Sequence, residues 1–445
     1  MARPAPQQPR ILIAGALRDA VHCCYRPGAI ALSNNHILAA GTPEAIRQRY
    51  PEAPVTEWPD HIVLPAMVNA HAHLALTHLG PRPFKGRFID WLMMVMQQAP
   101  REAEAVERAI ARGVHLSLEA GVGWVGDVCP MPAGIAQRVE AGLGGVLYLE
   151  CTGIGDRAAQ RAGAIPSAAA ELSGAMGHLR GENLLPGLSP HAPYSTGAPV
   201  YEAAARMHHR YGMPLSTHLA ETLEEIEFTT RGEGAMVELL KRIDRWDDRI
   251  AIPHCHPVDA LESALAAAPW LLAHCNYLEP HHIALLARRG ASVVYCPTAS
   301  AYFGHPHDGH AAHPYRRLLE AGVNVCLGTD SILCQPPDEP EPLGILPQMR
   351  LLHQRDGTSP EVLLSMATTR GLRAMQLDPA MATLATGAPA RLVAARFDPA
   401  DPTDPFTQVL TGNAVIETRI GFHCEPGATP DVPDEQTGPR GSNPP

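Results

Sequence analysis

Positive charge is scarce in this chain. Its 35 lysines and arginines face 46 aspartates and glutamates, giving a formal net charge of -11 and a pI near 6.1, and Lys85 and Lys241 are its only lysines. A partner held through its phosphate backbone needs clustered basic side chains, so no nucleic acid is expected. Paired cysteine spacing is missing as well. The ten cysteines include no CxxC, and Cys275, Cys296 and Cys326 sit in apolar runs, the pattern of reduced thiols packed inside a protein. No uninterrupted apolar stretch approaches a membrane span, and the apolar segment in the opening MARPAPQQPRILIAGALRDA is too short for an ordinary secretory signal. The expectation is a cytoplasmic protein without a membrane partner.

What is present points to a large core. Hydrophobic residues make up 45% of the 445 and charged ones 18%, which is too apolar for wholesale disorder. From about Leu64, short β-like runs alternate with helical ones. The runs are LPAMVNAHAH, GVGWVGDVC, GVLYLECTGI, LLPGLSPHAPYS, PLSTHLAE, WLLAHCNYL, ASVVYCPT and VNVCLGTDS, separated by segments such as VERAIARGVHLSLEA with helical periodicity. Continuous apolar strands alternating with helices imply a parallel sheet covered on its outside, and about eight such units imply an α/β fold of the closed (β/α)8 TIM-barrel kind. An open doubly wound sheet is the competing topology. The barrel is assigned to residues 59–386. Residues 1–58 and 387–424 read as short strands with turn residues between them, a small composite β-sandwich domain made from both chain ends. Residues 425–445, rich in Pro, Gly and acidic groups, read as a disordered tail.

Residues 64–80, LPAMVNAHAHLALTHLG, place two imidazoles one residue apart in a nearly apolar run. Side chains alternate faces along a strand, so His71 and His73 share one face at the C-terminal end of the first barrel strand, pointing into its mouth. Alone, an HxH suits two hydrogen-bonded core histidines as well as a chelate. Other strand ends tip the balance. The fifth run carries His218 and, three residues on, Glu221; the sixth carries His274, the eighth Asp330 and the fourth His191. Metal-competent and acid/base side chains thus arrive at one rim from several strands.

Together these segments resemble the amidohydrolase superfamily of metal-dependent barrel hydrolases, from VLPAMVNAHAHL through THLAETLEE and LLAHCNYL to CLGTDS. The pattern is most similar to the branch holding S-adenosylhomocysteine, guanine and cytosine deaminases and the triazine chlorohydrolases. The resemblance implies one divalent metal ion held by His71, His73, His218 and Asp330, with zinc expected and iron or nickel as alternatives. It implies Glu221 as the proton shuttle, His274 and Asp330 as the groups that take or orient the proton of water, and substrate contacts at His191 and His274. Two-metal relatives bridge their ions with a carboxylated lysine on the fourth strand, where neither Lys85 nor Lys241 lies. Glu150, on the third run, is a minor candidate for bridging a second ion. A small-molecule substrate is implied, and a homodimer is compatible.

Such a donor set leaves an open position at which a cation acidifies water. Attack on a carbon bearing an amine, with Glu221 protonating a ring nitrogen and then the leaving group, releases ammonia. The expected activity is therefore hydrolysis of carbon–nitrogen bonds other than peptide bonds, as deamination of an aminated purine nucleoside or heterocycle, aminodeoxyfutalosine included. A cyclic amide hydrolase of the imidazolonepropionase kind and a chlorohydrolase are the alternatives on the same site. A non-catalytic barrel would be expected to lack part of the set. Other motifs carry less. GVGWVG at 121–126 fits GxGxxG but follows a helix and reads as a barrel strand. HCH at 254–256 lies between prolines and reads as a loop. The histidine-rich segment 304–317 reads as a solvated loop in which His305 or His307 is a candidate substrate contact. Phe84, Phe88 and Trp91 stand at helical spacing and read as packing residues.

Overall fold

The computed structural model describes residues 8–21, 23–177, 183–307 and 309–421; the tail expected at 425–445 lies outside them. In chain order, β1 (Arg10–Arg18), β2 (Cys24–Tyr25), β3 (Gly28–Ser33), β4 (His36–Gly41) and β5 (Val55–Pro65) come first. Then follow β6 (Met67–Ala72), β7 (Val122–Cys129), β8 (Gly144–Cys151), β9 (Leu184–Pro190), β10 (Leu215–Leu219), β11 (Trp270–His274), β12 (Ser292–Tyr295) and β13 (Asn324–Leu327). β14 (Leu392–Arg396) and β15 (Ile416–Ile420) come last.

The eight strands β6 to β13 are hydrogen-bonded in sequence order, each to its neighbour in parallel. Every residue of β6, β7, β10, β11 and β12 is buried, as a sheet covered by helices requires. The ring is drawn together where its first and last strands meet. Ala72 and Asp330 form a parallel bridge, and the amides of Thr329 and Asp330 both donate to the His71 carbonyl, at 3.2 and 3.0 Å. Beneath them Asn69 Nδ2 donates to Thr329 Oγ1 at 2.7 Å, and the Thr329 amide donates to Asn69 Oδ1 at 3.1 Å. This α/β barrel is the architecture expected, and its seam lies directly under His71 and Asp330.

Between strands, helices begin on proline and stop on glycine. Pro280, Pro297 and Pro360 occupy first-turn positions, where a missing N–H is harmless, and Gly212, Gly232 and Gly290 close helices in the left-handed conformation. The chain ends combine into a second sheet, ordered β15-β14-β5-β1-β3-β4 with β2 on β1. The layers of the expected sandwich are thus joined in one hydrogen-bonded sheet. Alternation divides its side chains: Leu12, Ile30, Ile37 and Leu392 share one cluster, Ile11, Ala29 and Ala39 another, and Ile62 and Leu64 of β5 enter the barrel core. β5 stays in this sheet to Pro65, and two residues later Met67 opens β6. No described helix is long and apolar enough to cross a membrane.

Candidate active site

His71 lies near the end of β6 and His73 just beyond it. Only 1% of His71 is exposed, and neither of its ring nitrogens has a hydrogen-bond partner. Its Nε2 lies 3.8 Å from Asp330 Oδ1; His73 Nε2 lies 3.5 Å from the same oxygen and 3.3 Å from His218 Nε2. Donor atoms held about 2.0–2.1 Å from one ion in a shell with room for water stand about 3–4 Å apart, a range that these three separations fit. Burying an unpaired nitrogen costs about 1–3 kcal/mol, which a cation accepting its lone pair would offset. Tautomers agree with this. His218 Nδ1 lies 3.1 Å from the His191 carbonyl, which can only accept, so Nδ1 carries the proton and Nε2 turns its lone pair toward the cluster. A Cβ on Gly328 would come within 3.0 Å of His71 Cβ and its carbonyl oxygen, so a glycine there lets the last strand bring Asp330 to the first.

Glu221 and His274 form the opposite side. His274 Nε2 lies 3.7 Å from Glu221 Oε1 and is buried without a hydrogen-bond partner. The Glu221 backbone is held at both ends: its N–H and that of Ala220 donate to the Glu225 carboxylate at 2.9 and 3.0 Å, and Asn276 Nδ2 donates to its carbonyl at 3.0 Å. Ala220, His274, Cys275 and Asp330 have φ of 50°, 72°, 54° and 59°. Non-glycine residues in this region cost about 1–3 kcal/mol each and gather where function requires them; here they sit at the ends of β10, β11 and β13.

Burial sets the protonation states. It holds His71, His73 and His274 well below the ordinary imidazole range, with neighbouring histidines adding to the effect, and brings His191 down to about 4 and His218 to about 3. All five are neutral near pH 7, as ligation requires. Burial raises Asp330 to about 7 and, joined by the charge of Asp330, lifts Glu221 well above the carboxylate range. A dication would restore Asp330 to its ionised form, leaving Glu221 as a carboxyl able to carry a proton.

A cavity of about 250 Å³ opens on this cluster, with His73, His191, His218, Glu221, His274 and Asp330 in its wall. Phe88 and Trp91, read from sequence as packing, line it too, with Phe303 behind them. Their spacing showed a buried helix face but could not show that a ligand chamber lies beside it. His305 is not among the lining residues. It packs near Phe88 and Phe303, with Nδ1 2.9 Å from the Tyr277 hydroxyl, which also accepts the His307 amide. From the same loop, the unforeseen His313 donates from Nε2 to the His274 carbonyl at 2.8 Å and stacks on Tyr295. In HCH, His256 caps the short helix Pro257–Ala260.

An eight-stranded parallel barrel with three imidazoles and a carboxylate drawn together at its mouth is the framework of a metal-dependent barrel hydrolase. The chain belongs to the amidohydrolase family, whose profile matches residues 62–421, and it is a hydrolase of carbon–nitrogen bonds. It is 27% identical over 383 residues to an aminodeoxyfutalosine deaminase of Deinococcus radiodurans, covering 82% of this chain and 85% of the relative. It is 28% identical over 392 residues to a 5-methylthioadenosine/S-adenosylhomocysteine deaminase of Syntrophobacter fumaroxidans, covering 84% and 81%. Among solved structures, Helicobacter pylori aminofutalosine deaminase superposes with a TM-score of 0.77 at 20% identity, covering 93% of this chain and 98% of that one.

Proposed function

We propose that the enzyme hydrolytically deaminates an adenosine-like nucleoside, with His71, His73, His218 and Asp330 holding a single zinc ion. The convergence of these four donors opposite Glu221 and His274 is the observation that carries the reading. When bound, the ion supplies Lewis acidity, making water a nucleophile near neutral pH. The remaining work falls to the chain. Glu221, kept protonated by burial, delivers its proton to the ring nitrogen beside the attacked carbon; as a carboxylate it takes one proton from water and passes it to the departing amine, and the remaining hydroxyl proton, released as the carbonyl forms, restores the acid. His274, its Nε2 unpartnered, orients water or substrate, and Phe88 and Trp91 wall the ring from bulk solvent.

The relatives act on aminodeoxyfutalosine, 5-methylthioadenosine or S-adenosylhomocysteine, and 5'-deoxyadenosine by their names, nucleosides that differ in the 5' arm. A second cavity of about 320 Å³ shares Met96, Glu150 and His191 with the first and reaches Arg157, Arg161 and Arg245. Guanidinium groups there favour an arm ending in a carboxylate. All nine described cysteines are unpaired, which suits a reducing compartment such as the cytoplasm.

The test is ammonia release from nucleosides with neutral and carboxylate-bearing arms, with zinc measured in the same samples. Glu221→Gln is expected to lower kcat by about 10³-fold with zinc retained. Ring opening without ammonia would support a cyclic amide hydrolase instead.

A further inference from the structure

We infer that Glu150 reads the sugar, its carboxylate accepting hydrogen bonds from the vicinal 2',3'-hydroxyls of the nucleoside. The inference rests on the nucleoside reading above and adds a specificity-determining residue to it. Glu150 stands near the end of β8, its side chain 24% exposed, and the neutral His191 beside it holds its Nε2 4.0 Å from Oε1, too far for a hydrogen bond. Two deeply buried carboxylates near the site do have donors. Glu225 accepts two backbone N–H groups, and Asp127 takes the Leu74 amide and the Arg138 guanidinium. Burial alone raises the Glu150 carboxyl to about 7, with no donor drawing it back. A carboxylate drawn partly out of water with no protein donor among the described residues is under-satisfied, and a ligand carrying O–H groups would take the place of its remaining water.

Its position says which O–H groups. Glu150, His191 and Met96 are the residues common to both cavities, so Glu150 faces the passage between them. The His191 ring is 4.9 Å from that of His218, which puts Glu150 one side chain outward from the donor cluster. With the amine-bearing carbon at the cluster and the 5' arm in the second cavity, the sugar occupies the passage. Between base and arm a ribonucleoside offers O–H donors only from its vicinal diol, and two such donors match the two oxygens of a carboxylate.

The experiment compares an adenosine-type substrate with its 2'-deoxy and 3'-deoxy counterparts carrying the same arm, in wild type, Glu150→Gln and Glu150→Asp. It reads kcat/KM from ammonia release, calorimetric binding of inosine against 2'-deoxyinosine, and zinc per chain. Wild type is expected to prefer the ribo form by about 10²-fold or more, with the ratio collapsing toward unity in Glu150→Gln, intermediate in Glu150→Asp, and zinc content constant. The binding ratio should collapse in the same way, a readout that needs no turnover. An undiminished ratio in Glu150→Gln overturns the inference, as do two ions per chain in wild type falling to one in the variant, which would make Glu150 a ligand. If wild type deaminates ribo and deoxy forms alike, the nucleoside reading stands and this inference falls; if no nucleoside yields ammonia, both fall.

Discussion

Asp127 shows how single residues aim the site from outside it. Its Oδ1 accepts the Leu74 amide at 2.8 Å, directly after His73, while the Arg138 guanidinium binds Oδ2 and donates to the carbonyls of Ala133 and Gly134 at 2.9 and 2.7 Å. Both side chains are buried. Removing the cation from a buried pair leaves an uncompensated charge, so Arg138→Met is expected to destabilise the fold by about 3–5 kcal/mol in urea unfolding. Adding Asp127→Asn should recover part of that loss. Non-additivity of this kind would show that the two groups act as one unit; independent, additive losses would refute it.

At the scale of elements, caps and loop clamps matter as much as strands. His256 Nδ1 accepts the Val258 amide at 3.2 Å, which fixes its proton on Nε2, 3.0 Å from the Tyr277 carbonyl. Protonating Nδ1 would break the cap. Burial, then the nearby His282, lowers His256 from 6.5 to about 4. A base whose folded pKa lies below its unfolded one contributes its full stability above the unfolded value and loses it as pH falls toward the folded one. Stability should therefore decline between pH 6.5 and about 4, by about 2 kcal/mol from this group. His256→Asn, which can still cap, should flatten that limb relative to wild type in unfolding measured across the range. The barrel strands were legible because each is a continuous apolar run closed by a polar side chain at a predictable end. The lining helix and the histidine-rich loop were not. Periodicity reports which face of Phe88–Gln98 is buried without saying by what, and no local pattern separates His313, which holds the His274 backbone, from His305, which bonds Tyr277. Glu150 carries no motif; only the meeting of two cavities singles it out.

At the scale of the molecule, the four proposed donors come from positions 71 to 330, and only the folded barrel assembles them. An ion that binds the native state alone stabilises it by mass action. Stripping wild type with a chelator should lower Tm by several degrees and zinc should restore it, whereas His218→Ala should respond to neither treatment; equal melting with and without chelator would count against the site. The second sheet sets a further condition. β5 pairs with β1 along one edge and with β14, residues 392–396, along the other. During synthesis, then, the segment leading into the first two imidazoles keeps an open edge until residues 392–396 have left the ribosome, inviting wrong pairings in the interval. An ion held at the proposed site would therefore be captured late, once that closing strand has emerged.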